Sequence, residues 1–415
     1  MKILIYGLNF APELTGIGKY TGEMAAWLAA RGHEVTAIAA PPYYPQYRVH
    51  PGHRAWRYAA HLWQGVKVWR SPLWVPARPG GAKRLVHLAT YALSSLPLLL
   101  YCAARRPDVI IVVEPPLFCA PAAVLGARLC GARAWLHIQD YEVDAAFELG
   151  LLKGRALRGL ADTAERWLMR RFDRVSTISR RMLGRARDKG VDAERLVLFP
   201  NWIDVTAAIE GATRVDFRAD LGIPRDAVVA MYAGNMGGKQ GLQTLADVAL
   251  LLRRVPEVHF VFCGEGPERS ALHARCAGLA HVHFLPLQAA RRLPALLATA
   301  DVHLLPQRAG AADLVMPSKL TGMLASGRPV ICAAAPGTEL AAVVRHCGKV
   351  VKPESAFAMA RALLRLARAP QQRAALGAEA RHHAQSQLHV EMVLGQFERE
   401  LAALCTPATA FRGTP

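Results

Sequence analysis

Three cations in the second half of the chain stand beside glycine- or serine-led turns. Lys239 closes the run Tyr232-Ala233-Gly234-Asn235-Met236-Gly237-Gly238-Lys239-Gln240-Gly241, Arg308 follows Gln307, and Lys319 follows Pro317-Ser318. Glycines let backbone approach a ligand closely, and N–H groups at a turn or helix start point toward an anion. Lysine in the first turn of a helix opposes the positive end of the dipole, so its placement gains from a negative partner. Ser318 is expected to cap the helix behind it, which Gly327 stops before the strand at Val330. Together these residues suit a phosphate or diphosphate. For the 317–319 segment alone, a lysine snorkelling into water competes with that reading. The 234–241 turn is not a P-loop, because the G-K-[ST] ending is missing. Two further tight turns, Gly264-Glu265-Gly266-Pro267 and Phe284-Leu285-Pro286-Leu287, add backbone for the same ligand, and Asp313 lies just before the Lys319 helix.

The first half offers a different set. Asn9 to Lys19 carries Gly16 and Gly18, with Gly22 beyond. That spacing is one residue too long for G-x-G-x-x-G and begins well past the first strand, which excludes a dinucleotide fingerprint. The loop still allows close approach to a phosphate or sugar, or serves only as a turn. Farther on, His137 and Gln139 are two apart and share one face of a strand, at its carboxyl end. Asp140, Glu142 and Asp144 follow, as a solvated edge or as groups that hold an acceptor hydroxyl.

Positioning these residues requires parallel sheets, since open α/β sheets bind ligands in the loops beyond their strand ends. The chain alternates short β-branched runs with helical stretches. Strands are predicted over 2–6, 35–39, 66–70, 109–113, 134–138, 174–178 and 196–199. A linker-like stretch to Arg225 separates them from a second set at 228–233, 258–263, 282–285, 302–305 and 330–333. At 415 residues two domains are expected. The division is 1–204, 205–385, and a helix with tail over 386–415. Eight scattered cysteines, without C-x-x-C or a histidine partner, argue against zinc and disulfides and for a reducing cytoplasm. The N-terminal apolar run is too short for a secretory signal.

The net charge of +19 calls for an anionic partner. Nucleic acid is disfavoured, because the basic residues are dispersed and no stacking-aromatic motif accompanies them. Residues 85–104 approach membrane-spanning length but contain Pro97 and have basic flanks. They read as a core or surface helix, with contact to an anionic membrane face as the second reading.

The ordered motifs resemble the retaining, nucleotide-sugar-dependent glycosyltransferases of family 4. The pieces are Pro12…Gly16-Ile17-Gly18 with Gly32-His33-Glu34-Val35; Gln139-Asp140; Phe199-Pro200-Asn201-Trp202-Ile203-Asp204; Gly264-Glu265-Gly266-Pro267; Ala300-Asp301-Val302; and Pro317-Ser318-Lys319…Ala325-Ser326-Gly327-Arg328-Pro329-Val330. They span nearly the whole chain and are closest to transferases that build extracellular polysaccharide repeat units, those of colanic acid among them. The resemblance implies the GT-B fold, two doubly wound Rossmann-like domains with parallel sheets facing across a cleft, and a final helix in 386–415 that returns to the first domain. It implies a nucleotide-sugar donor, a lipid-linked saccharide acceptor, no metal or other cofactor, and a cytoplasmic protein peripheral at the inner face of the inner membrane. Gly16, His137, Gln139, Asp140, Lys239 and Lys319 would serve catalysis. Gly18, Asn235, Gly237, Gly238, Gln240, Gly264, Gly266, Leu287, Arg308, Asp313 and Ser318 would hold the donor.

The chain departs from the family's pattern at three places. Gln139 stands where many relatives have histidine, which suits a 6-deoxy donor such as GDP-fucose. Asn235 and Gln240 replace the usual phosphate-binding Arg and Lys, leaving Lys239, Arg308 and Lys319 to supply the charge. The two acidic positions near the last helix fall on Leu314 and Gly322. A sugar-nucleotide epimerase shares the fold and is the alternative activity.

Overall fold

The computed structural model describes residues 1–14, 16–77, 80–148, 154–213, 215–308 and 317–406. It divides into two compact units: residues 1–199 with 394–415, and residues 200–393. Each is an α/β layer structure, as the alternation of apolar runs and helices requires.

The first unit holds β1 (Lys2–Gly7), β2 (Glu34–Ala39), β3 (Ala59–Trp63), β4 (Val66–Arg70), β5 (Val109–Glu114), β6 (Arg133–Ile138), β7 (Arg174–Thr177) and β8 (Leu196–Leu198). Their order is β3-β4-β2-β1-β5-β6-β7-β8, parallel throughout except for the β3/β4 hairpin. Every residue of β5 is buried, which is why such strands read as continuous apolar runs instead of alternating ones. The second unit holds β9 (Val228–Ala233), β10 (Val258–Cys263), β11 (Val282–Leu285), β12 (Val302–Leu305), β13 (Val330–Ala333) and β14 (Gly348–Val351), in the order β11-β10-β9-β12-β13-β14, all parallel. The strand order reverses between β1 and β5 and between β9 and β12. Those switch points are where α/β sheets open for a ligand.

Two strands and one connection differ from expectation. β3 is an exposed edge strand, turned by Gln64 and Gly65 with φ of 46° and 80°. That is a two-residue hairpin without the Asn-Gly or Asp-Gly signal. β14 is short and lies at the other sheet's edge. The 201–225 stretch is not a linker. It forms helices Val205–Gly211 and Phe217–Asp220, with Phe217 in one core cluster and Val205 in another.

The apolar 85–104 segment forms the helix Gly81–Ala103. It is bolted to the first sheet by buried polar bonds. The Tyr91 hydroxyl lies 2.7 Å from the Gly7 carbonyl and 3.0 Å from that of Ile38, and Tyr6 pairs with Ser95 at 2.6 Å. It is long and apolar enough to cross a membrane, yet one face covers the core. The last helix, Val390–Cys405, begins in the second unit and belongs to the first from residue 394 onward. Its Phe397 stacks on Phe199 at 4.1 Å and meets Trp135 edge-on.

Candidate functional site

In the second unit, the loops after β9 and β10 are zipped together. Gly234 N–H donates to the Cys263 carbonyl at 2.9 Å, Met236 N–H to Glu265 at 2.8 Å, and Glu268 N–H back to Met236 at 3.0 Å. This contact demands glycine. A Cβ on Gly264 would lie 1.9 Å from the Gly234 oxygen, one on Gly266 would lie 2.4 Å from the Met236 oxygen, and both have φ near +150°. Leu287 adjoins the same turn, where the Cys263 thiol reaches the Pro286 carbonyl at 3.1 Å.

Lys319 reaches across to this loop from the helix Lys319–Ala325. Its side chain lies against Gly234, where a Cβ would be 3.3 Å from Nζ. The ammonium donates to the Tyr232 hydroxyl at 2.6 Å and to Gln240 Oε1 at 3.1 Å, and sits 4.3 Å from the centre of the Tyr232 ring. Tyr232 in turn donates to the Asn235 carbonyl at 2.6 Å. Among the described residues no carboxylate pairs with Lys319, and burial pushes its pKa down to about 7. An ammonium held against neutral oxygens is short of a counter-ion, and a phosphate oxygen would supply one. Arg308 meets the other end of the loop. A Cβ on Gly241, whose φ is +65°, would contact Arg308 Cγ at 3.4 Å. Lys319 and Arg308 thus border one glycine loop that also contains Gly237 and Gly238.

Ser318 makes no capping bond. Its φ and ψ are already helical, so its hydroxyl is not placed to reach the free N–H groups of the first turn, and Leu320 N–H bonds the Pro317 carbonyl instead. Lys239 lies in the short turn Gly238–Gln240, and its side chain is outside the described residues. Asp313 and Leu314 lie outside them too. A Cβ on Gly322 would lie 2.9 Å from Leu297 Cδ1, which leaves no room for a larger side chain.

In the first unit, sequence reasoning missed the organising residue, Glu13. Its buried carboxylate accepts from Tyr43 N–H at 3.1 Å, Tyr44 N–H at 3.0 Å and Asn9 Nδ2 at 2.9 Å. Burial raises its pKa, and these bonds and Arg70 oppose the rise. Arg70 itself is buried and bonds the carbonyls of Ala40, at 2.7 Å, and Ala11. Two loop glycines serve this clasp. A Cβ on Gly18 would strike Glu13 Oε2 at 2.3 Å, and one on Gly22 would strike Ala11 at 2.7 Å. Gly16, with φ of +63° and no atom closer than 3.8 Å to a Cβ, is the glycine with open space before it.

His137 is buried and hydrogen-bonded through both ring nitrogens. Its Nδ1 lies 2.9 Å from Ser176 Oγ, which Trp135 Nε1 also reaches at 2.8 Å, and its Nε2 lies 2.8 Å from Gln139 Nε2. With the Gln139 amide assigned as donor to Nε2, the ring carries its proton on Nδ1. Burial pushes its pKa down to about 3. The neutral ring therefore orients Gln139 at the end of β6, with Asp140 next in the chain. At the end of β5, Glu114 is fully buried, and burial with Glu165 and Glu142 nearby raises its pKa far above the usual carboxylate range. Asp144, Asp162 and Glu165 bring ligand oxygens within 4.8 Å of one another. Lys189 already serves as their cation, 3.2 Å from Asp144 and in contact with Glu165, and Arg185 lies 2.9 Å from Asp144.

Two Rossmann-like units, one with a cation-edged glycine loop at its switch point, fit the GT-B architecture found among glycosyltransferases. The chain belongs to that family: residues 15–202 match the Glycosyl transferase 4-like domain and residues 227–369 the Glycosyl transferases group 1 domain. It is 44% identical over 412 residues to the Escherichia coli K12 protein named "Putative colanic acid biosynthesis glycosyl transferase WcaI", covering 97% of this chain and 100% of that one. Among solved structures, the sucrose-phosphate synthase of Thermosynechococcus elongatus superposes with a TM-score of 0.73 at 17% identity, covering 97% of this chain and 100% of that one. Anabaena HepE in complex with UDP-glucose superposes with a TM-score of 0.68 at 16% identity, covering 96% and 99%. The chain is thus a glycosyltransferase of the colanic acid biosynthesis type, an enzyme of family 4.

Proposed function

We propose that the enzyme moves a sugar, with retention of configuration, from a nucleoside-diphosphate donor to a lipid-linked saccharide at the inner membrane face, during assembly of an exopolysaccharide repeat unit. The observation that carries the donor half is Lys319, a desolvated ammonium beside the Gly234 loop with only neutral partners among the described residues. Charge grows on the diphosphate as the glycosidic bond to it breaks, and preorganised cations and backbone N–H groups stabilise that charge without rearranging. Lys319 and Arg308 with the 234–241 loop fill this role, and the reaction needs no metal. The acceptor oxygen bonds to the sugar carbon, and its proton passes to the departing diphosphate, so His137 takes no part as a base. Gln139, held by His137, faces the sugar. It suits a 6-deoxy hexose, which lacks the hydroxyl that a histidine there would meet, and GDP-fucose is the donor of choice.

The E. coli relative, named for colanic acid biosynthesis, supports the pathway, and HepE with its UDP-glucose supports a nucleotide-sugar donor. The test is a panel of nucleotide sugars offered with lipid-linked acceptors, the products being read by mass spectrometry. A single retained glycoside from GDP-fucose is expected. Donor isomerisation without transfer would replace this reading by an epimerase, and equal competition by GDP- and UDP-hexoses would remove fucose.

A further inference from the structure

The first unit has a cavity of about 600 Å³ at the amino ends of β5 and β6, the end of the sheet away from Gly16 and Gln139. Its lining includes Arg106, Arg128, Arg133 and Arg171, with Asp108 and Asp173. Both acids are already engaged by backbone. Asp108 accepts from Lys2 N–H at 2.7 Å, and Asp173 from Ala134 N–H at 2.8 Å while lying 3.4 Å from Arg133. Arg171 covers the exposed Trp167 ring at 4.2 Å. Arg106 and Arg128 are exposed and have no ion pair or side-chain hydrogen bond among the described residues. The cavity therefore carries a surplus of positive charge.

Its position suggests a partner for that charge. It opens where two apolar helices end, Gly81–Ala103 just before Arg106 and Ala120–Cys130 at Arg128. The first presents Val86, Leu93, Leu100 and Tyr101 to solvent, and the second Leu125 and Leu129; Leu93 is 67% and Leu129 71% exposed. Between Arg84 and Arg105 the chain holds no Asp, Glu, Lys or Arg, over about 30 Å of helix. Arg84, at the start of that helix, lies 3.5 Å from Glu142. An apolar strip ending in a basic hollow matches the layered chemistry of a bilayer surface, acyl chains beside phosphate.

We propose that this face docks on an anionic bilayer, with the helix Gly81–Ala103 lying in the interface and the four-arginine cavity holding a phospholipid phosphate. The inference deepens the lipid-acceptor reading. It gives the enzyme an attachment point at the amino ends of β5 and β6, from which the long helix runs toward the strand ends that carry Gly16 and Gln139.

The test is sedimentation of the full chain with phosphatidylcholine vesicles, with and without phosphatidylglycerol, at low and high salt. R106Q/R128Q is compared with L93S/L100S. Each arginine lost should weaken binding to the anionic vesicles about five-fold, or ~1 kcal/mol. The leucine variant should weaken binding to both vesicle types. Both variants should keep transfer to a soluble, short-chain acceptor, so a failure of the transferase reading is seen separately. Parent-like vesicle binding by R106Q/R128Q overturns the proposal, as does a parent chain that ignores phosphatidylglycerol. Thermal stabilisation by free inorganic phosphate, lost in R106Q/R128Q and without vesicle binding by the parent, would assign the cavity to a soluble anion and also overturn it.

Discussion

Replacing Lys319 by methionine keeps the length of the side chain and removes its charge. In the ligand-free fold the ammonium lies 2.6 Å from the Tyr232 hydroxyl and 3.1 Å from Gln240 Oε1, and burial depresses its pKa from 10.5 to about 7. A depression of that size corresponds to on the order of 5 kcal/mol against the charged form. The folded value lies below the unfolded one, so the unfolded chain binds more protons between pH 7 and 10.5. The ligand-free protein therefore gains stability as pH rises through that window. A bound diphosphate reverses the balance by holding the ammonium charged. Nucleoside diphosphate affinity then falls about tenfold per pH unit above neutrality, with uptake of one proton. K319M should abolish that dependence and lower kcat/KM by roughly 10²–10³, the loss expected for a donor aimed at developing charge. Its ligand-free melting temperature should be unchanged or higher, because a strained charge has gone. Calorimetric titration of nucleoside diphosphate in two buffers of different ionisation enthalpy reads the proton, and steady-state kinetics read the rate. Parent-like kcat/KM in K319M, or pH-independent binding by the parent, would refute the reasoning.

Other substitutions probe the supports. G264A forces a methyl to within 1.9 Å of the Gly234 carbonyl; it should cost several kcal/mol and abolish nucleotide binding, read by thermal melting and titration. E13A strips the acceptor from Tyr43 and Tyr44 N–H and should lower stability by roughly 2–3 kcal/mol in urea unfolding, with E13Q milder. H137F should lower kcat through a misplaced Gln139 while the pH–rate profile keeps its shape, because a ring with pKa near 3 does not titrate at working pH. A lost inflection in the usual histidine range would return His137 to acid–base duty.

The parallel sheets were legible because buried strands such as β5 are unbroken β-branched runs, and the loops fell where strands meet helix starts. The edge strands β8 and β11 were legible too, but β3 and β14 were not; β3 has no buried face and turns on Gln64-Gly65 instead of a recognised hairpin pair. Among the chemical residues, Lys319 was readable as a cation in the wrong place for its helix. Its contacts with Tyr232 and Gln240 were not, because nothing in the spacing shows that the 319 helix meets the 232–241 run. Glu13 escaped for the same reason, its partners lying thirty residues away at Tyr43 and Tyr44. Gly18 illustrates a subtler limit: its missing side chain could have served a ligand or a neighbour, and only coordinates reveal Glu13 filling the space. Ser318 likewise looks like a cap in the sequence but is already helical in the fold.

A crystal structure with a nucleoside diphosphate bound tests the central claim most directly. The account predicts a phosphate oxygen within hydrogen-bond distance of Lys319 Nζ, with backbone N–H groups of the 234–241 loop and Arg308 around the same group. A diphosphate held elsewhere, with Lys319 still turned only to Tyr232 and Gln240, would contradict it.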